Sequence, residues 1–212
     1  MVKLYVEGGG DAKSLQIECR RGFREFLEKA GLKGKMPRIT ACGGRRQAYD
    51  DYCLALKSGE SAVLLVDSEA PVAPEHQQPE GQPAQWRPWQ HLKARAGDDW
   101  DKPAGAQDAD CHLMVQVMES WFLADRDALK AFFGQGFHEN ALPAANRPIE
   151  GVAKDDVYSA LKQATQNCKT KAEYGKGEHS FKLLARIDPA KAMDASPWAR
   201  RFVDELKKKM GV

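Results

Sequence analysis

The run Ser61 to Val66, SAVLLV, is the most continuously apolar stretch of the chain, and it breaks off into Asp67-Ser68-Glu69. A short strand without polar alternation suits a position covered on both faces, as in the centre of a parallel sheet. The stretch Val2 to Asp11, VKLYVEGGGD, has a related form: alternating Val2, Leu4 and Val6, then an acid, three glycines and Asp11, a good N-cap for a helix. Both stretches place carboxylates at the carboxyl end of a strand. In open α/β sheets ligands bind at that edge, because helices beginning there direct their N–H groups into the crevice.

The rest of the chain extends this pattern. After Asp11 a helical period runs to about Ala30, with Leu15, Cys19, Phe23, Phe26 and Leu27 on one face and Gly31 as the stop. Pro37 to Cys42 reads as a second strand, turned by Gly43-Gly44 into a helix from about Arg45 to Lys57. Ala70 to about Pro88 is rich in Pro, Gln, Glu and Ala and reads as a loop beside the functional edge, either a lid or filler; Trp86 and Trp89 open a short helix to about Arg95. His112 to Val117 is a fourth strand, followed by Met118-Glu119-Ser120-Trp121 and a helical segment to about Phe133. Helices are expected near Asp155 to Cys168, from Ser180 to Arg186 after the glycine-rich YGKGEHS, and after the N-cap pair Ser196-Pro197. The expected fold is α/β: a mainly parallel sheet flanked by helices over residues 1–124, with a mostly helical part over 125–212 packed on it as one unit.

Composition sets limits. Apolar residues at 42% and charged residues at 29% fit a soluble globular protein. With no bilayer-length apolar run and no signal-peptide pattern in MVKLYVEGGG, the expected location is cytoplasmic, without a membrane partner. Five cysteines, odd in number and without a CxxC pair, fit neither a disulfide framework nor a zinc site. A net charge of +2 does not announce nucleic-acid binding. Local clusters (Arg20, Arg21 and Arg24; Arg45 and Arg46; Lys169, Lys171 and Lys176; Lys207 to Lys209) would attract phosphate only where they converge.

The chemistry-bearing residues are the acids. Glu7, Asp67 with Glu69, and Glu119 each follow a strand, and two residues apart in an extended segment Asp67 and Glu69 face the same way. Oxygen ligands of this kind suit Mg²⁺ or Mn²⁺. Without a cation, clustered carboxylates repel one another and some of their pKa values rise.

This arrangement resembles the Toprim fold, which pairs an acid after its first strand with a DxD-like pair after its third. Glu7 matches the first acid and Asp67-Ser68-Glu69 the pair, with Glu in place of the second Asp. VEGGGD, ACGGR, LLVDSE, MVQVMESW and YGKGEHSF look like the motifs of a Toprim-like bacterial family of unknown function, the DUF4276 type. That family is related to the Toprim nuclease part of overcoming-lysogenization-defect proteins and is often encoded beside AAA-type ATPases in anti-phage loci.

The resemblance implies a Mg²⁺- or Mn²⁺-dependent nuclease acting on DNA or RNA, with an AAA- or ABC-type ATPase as partner. Asp67, Glu69, Glu7 and Glu119 would hold metal, and Glu7 would alternatively accept the proton of the attacking water. Lys176, on a glycine-flanked loop, would stabilise transition-state charge. Gly8, Gly9, Gly10, Arg45, Arg46 and His179 would contact the substrate phosphate. Two rival readings stand beside this one. GGGDAKS invites a nucleotide-binding loop, but Ala12 stands where a phosphate loop of the Walker type needs glycine before its lysine. A non-catalytic subunit docking on an ATPase would use the helical C-terminal half as its surface. Tryptophans 86, 89 and 121 are read as packing residues ahead of base-stacking ones.

Overall fold

Strands β1 (Lys3–Gly9), β2 (Arg38–Gly43), β3 (Ala62–Asp67) and β4 (Cys111–Met114) form one sheet in the order β2-β1-β3-β4 in the computed structural model, which describes residues 1–212. Every pairing is parallel. All six residues of β3 are buried, so its unbroken apolar run is the signature of an inner strand with helices on both sides. Leu4, Val6, Val63, Leu65 and Met114 point into the larger core, against Phe23, Phe26 and Leu27 of α1 (Lys13–Leu27). Tyr5, Leu64, Val66 and Leu113 point the other way, against Ala48, Tyr52 and Ala55 of α2 (Arg45–Lys57). Each fully buried Val or Leu contributes about 1.5–3 kcal/mol, so the strand that delivers Asp67 is anchored on both faces.

The connection after β3 also belongs to the smaller core. It carries the short helix α3 (Pro88–Ala94), and its Trp86, Trp89 and Trp100 are buried there. Helices α4 (Arg126–Phe133), α5 (Lys154–Thr165), α6 (Lys176–Leu184), α7 (Pro189–Ala195) and α8 (Pro197–Met210) follow β4. The larger core draws on residues from both sides of position 124, including Leu161, Leu183, Leu184 and Phe202. From α8, the buried Arg201 guanidinium donates to the carbonyls of Pro83 at 2.7 Å, Asp108 at 2.6 Å and Cys111 at 2.8 Å, and to His112 Nδ1 at 2.9 Å. One arginine thus ties the last helix to the β3–β4 connection and to β4.

The structure revises several local expectations. Asp11 is exposed and does not cap α1; Ala12 holds that position without a side-chain bond. The helix ends in a wider turn, Glu28–Leu32, where Gly31 takes φ +102°. β4 stops at Met114: Gln116 adopts φ +64°, which ends the extended run, and Met118–Ala124 forms a 3-10 helix. α6 begins at Lys176 rather than Ser180, and α7, opened by Asp188 and Pro189, had no counterpart in the sequence reading. Trp121 is buried and stacks on Phe26. The five cysteines are unpaired, and no helix is long and apolar enough to cross a membrane.

A candidate metal centre at the carboxyl edge of the sheet

Because Val6 of β1 lies opposite Leu65 of β3, the next residues of the two strands emerge side by side at the carboxyl edge. The backbone N–H of Asp67 donates to Glu7 Oε2 at 3.1 Å, and Arg45, the first residue of α2, donates to the same oxygen at 3.2 Å. Asp67 Oδ1 accepts from the Met118 N–H at 2.8 Å, and only 4% of the residue is exposed. Glu69 arrives differently from the extended geometry expected. Its φ is +64°, its N–H donates to the Gln116 carbonyl at 2.9 Å, and the neighbouring Ser68 Oγ accepts from the Gln116 N–H at 2.7 Å. This pinned turn brings the Glu69 carboxylate back toward the strand ends. One carboxylate oxygen from each of Glu7, Asp67 and Glu69 lies within 4.8 Å of the others.

The donor set fits a hard divalent cation. Ligand oxygens at 2.0–2.1 Å from Mg²⁺ stand about 3 to 4 Å apart, so small side-chain rotations bring the three carboxylates into range. Glu7 Oε1 and Asp67 Oδ2 receive no hydrogen bond from the protein, whereas their partner oxygens are held by backbone N–H groups. Each acid is thus oriented through one oxygen and presents the other. Glu69 is charge-paired with Lys154 of α5 and lies 3.9 Å from Arg95.

Beside Glu7 and Asp67 is a cavity of about 340 Å³, which Glu69 does not line. Glu7, Gly8 to Gly10 and Asp67 line it together with Glu119, Lys176 and Ser180. The glycines permit close packing: a Cβ on Gly43 would lie 2.7 Å from the Gly10 carbonyl oxygen, and Gly43 has φ +74°. Burial pushes the Asp67 carboxyl well above the usual range, with Glu7 and Glu119 adding to the rise and Lys176 and the Met118 N–H opposing it. Burial also raises Glu7, against the pull of Arg45 and the Asp67 N–H. Desolvation alone would lower Lys176, but the combined field of Glu119, Asp67, Glu7 and Glu69 leaves its pKa raised and the ammonium charged. The site holds surplus negative charge that a cation would relieve.

Glu119 lines this cavity in a different role from the other acids. Fully buried, it accepts from Ser180 Oγ at 2.8 Å, Tyr174 OH at 3.1 Å and Tyr158 OH at 3.3 Å, and it stands outside the three-carboxylate cluster. Lys176 is the first residue of α6 rather than part of a loop, with its ammonium 5.3 Å from the centre of the Tyr158 ring. Arg45 is at the site but is already committed to Glu7, the Asp67 carbonyl and both oxygens of Asp98. Arg46 is exposed and pairs with Asp50 one turn along α2, outside the cavity. His179 is buried outside the cavity against Phe132 and Phe133, its Nδ1 accepting from the Gly175 N–H at 3.0 Å. Of the basic clusters, Arg21 of α1 and Lys171 line one hollow together, while Arg21 and Arg24 also pair with Glu25 and Glu28 along α1.

Ser180, Tyr174, Tyr158, Asp98 and Lys154 escaped the sequence reading. For Ser180 a signal existed, since it stands four residues after Lys176 and so shares its helix face. For the others, long loops separate the residue from its partner, and no spacing rule connects them.

Fold and site together define an α/β protein with a parallel sheet and a carboxylate cluster suited to a divalent cation at its ligand-binding edge. The chain belongs to the family described as "Domain of unknown function (DUF4276)", whose model matches residues 6–207. Neither a curated protein nor a solved structure matches the chain.

Proposed function

We propose that this protein is a Toprim-like, Mg²⁺- or Mn²⁺-dependent nuclease that hydrolyses phosphodiester bonds, located in the cytoplasm and working with an AAA- or ABC-type ATPase in defence against phage. The observation that carries the reading is the convergence of Glu7, Asp67 and Glu69 within 4.8 Å, beside a cavity that Glu7 and Asp67 share with the charged Lys176. The Toprim relationship and the ATPase partner rest on the motif resemblance. When bound, a divalent cation supplies an activated water and offsets charge on the scissile phosphate. Glu7, Asp67 and Glu69 are the residues that would hold it. Arg45 and the Asp67 N–H fix the rotamer of Glu7, and the Met118 N–H fixes that of Asp67. Lys176 lines the same cavity as Glu7 and Asp67, where its ammonium would meet the charge developing on a phosphate bound there.

The test is a cleavage assay on mixed DNA and RNA with Mg²⁺ or Mn²⁺, comparing the wild type with Asp67→Ala at matched concentration. Cleavage lost in the variant supports the reading and identifies the polymer. If neither protein cleaves, alone or with its ATPase, and calorimetry detects no Mn²⁺ binding to the wild type, the reading fails. One observation favours a non-catalytic subunit instead: Arg45 and Lys154 already neutralise Glu7 and Glu69 without any cation.

A further inference from the structure

Helices α1 and α6 pack so closely that a Cβ on Gly22 would lie 2.6 Å from the Phe181 carbonyl oxygen. Along their seam three hollows follow one another. The carboxylate cavity shares Leu15, Gly177 and Phe181 with a hollow of about 410 Å³. That hollow in turn shares Glu18, Glu178, Phe181 and Lys182 with one of about 690 Å³. The three make one groove from Asp67 to the far end of α6, and Phe181, half-buried, lines its whole length.

The far end is basic in an unusual way. Lys171, Lys182 and Arg186 meet there with Arg21, and the first three form no ion pair; of the acids at this end, Glu25 pairs with Arg21 at 2.8 Å, Glu178 lies 3.5 Å from His179, and Glu18 is unpaired, so the cations outnumber the acids by one. Lys171 and Arg186 rest on the Phe132 ring, 4.8 Å and 5.2 Å from its centre. An aromatic platform holds these cations in place without neutralising them. Lys176 and Lys182, six residues apart on one helix, are separated by roughly 9 Å along its axis.

We propose that this groove binds a single strand of nucleic acid, with one phosphate at the carboxylate cavity, a base against Phe181, and further phosphates at Lys182, Lys171 and Arg186. For the reacting end this rests on the nuclease reading above; for binding it stands on the groove alone. An unpaired strand is required because Asp67, only 4% exposed, is recessed in the cavity, where a phosphate held on the face of a rigid duplex does not reach it. A half-buried phenylalanine likewise stacks only on a base freed from pairing.

The test measures fluorescence anisotropy of short labelled oligothymidylate, oligouridylate and duplex DNA over a salt series, with Ca²⁺ in place of Mg²⁺ to suppress turnover. The wild type is expected to prefer a single strand, and the two homopolymers distinguish DNA from RNA. Lys182→Ala/Arg186→Ala should weaken binding about tenfold and flatten the salt dependence by about 1.4 in the log–log slope, two phosphate contacts at about 0.7 each. Phe181→Leu should weaken binding with the slope unchanged. Lys33→Ala/Lys57→Ala, exposed cations outside the groove, should change neither. Groove variants that bind as the wild type does, a preference for duplex, or no binding by the wild type would overturn the proposal. Asp67-dependent cleavage that persists undiminished in the groove variants would overturn it while leaving the nuclease reading intact. Loss of binding in the groove variants of a protein that never cleaves would do the reverse.

Discussion

The Arg45 guanidinium lies 3.2 Å from the Glu7 carboxylate and, through Nε at 2.8 Å and Nη2, grips both oxygens of Asp98. The first residue of α2 therefore links a strand-end acid to the connection that follows β3. Asp98 is held below the usual carboxylate range: burial would raise it, but the Arg45 contacts and Arg95 outweigh that effect.

Replacing Arg45 with methionine leaves Asp98 and Glu7 without their cation while keeping the buried stem. Breaking a buried pair of this kind costs about 3–5 kcal/mol, and urea denaturation should show a loss of that order. Arg45→Lys should recover little of it, because a single ammonium does not reproduce a two-point grip on Asp98.

Asp67→Asn should make the cation-free protein more stable. The buried carboxylate faces Glu7 and Glu119, and an asparagine oxygen still accepts from the Met118 N–H. A gain of about 1 kcal/mol, or about 2–4 °C in Tm for a chain of this size, is expected by calorimetry in EDTA. Added Mn²⁺ should raise Tm in the wild type and leave the variant unmoved.

Glu119→Gln separates a structural acid from a ligand. Three hydroxyls donate to the carboxylate, and an amide accepts fewer of them, so stability should fall by about 1–3 kcal/mol. Calorimetric affinity for Mn²⁺ should decline far less than in Asp67→Asn. An equal collapse in both variants would make Glu119 a direct ligand.

His112 predicts acid sensitivity. Burial, reinforced by the Arg201 guanidinium at Nδ1, holds its pKa well below the ordinary imidazole value of 6.5, so the native state keeps it neutral. Below that value the unfolded chain takes up a proton that the native state refuses. Stability from this group is therefore intact above about pH 6.5 and declines as pH falls, by up to about 1.4 kcal/mol per pH unit. Asp67 and Glu7, with raised pKa values, act in the opposite direction: their burdens lessen as pH falls. Comparing urea midpoints of the wild type and His112→Gln between neutral and mildly acid pH isolates the histidine: the variant should show the shallower loss.

The parts of the fold set by local rules were legible. Continuous apolar residues marked β3, Gly44 and Lys57 bounded α2 as expected, and Ser196 caps α8 through a bond from the Ala199 N–H at 3.0 Å. The carboxylates were legible because strand ends in a parallel sheet share one edge. What escaped depended on tertiary contact. Glycines at 175 and 177 disguised the start of α6, so Lys176 looked like a loop residue and the packing of His179 on Phe132 and Phe133 outside the cavity was not seen. The left-handed turn at Glu69 has no sequence signal, since it is held by bonds of Ser68 and Glu69 to the distant Gln116. α7, seven residues long, is too short for its period to show.

The wall of the carboxylate cavity formed by Lys176 and Ser180 is translated more than a hundred residues after Asp67. On the ribosome the acids therefore emerge long before the ammonium that faces them, and the larger core waits for the same late helices. A nascent chain holds its carboxylates in an open, half-built edge, and the groove beside α6 closes only once residues 176–186 have emerged. Assembly order itself then delays the enclosed site until the helices after β4 have packed.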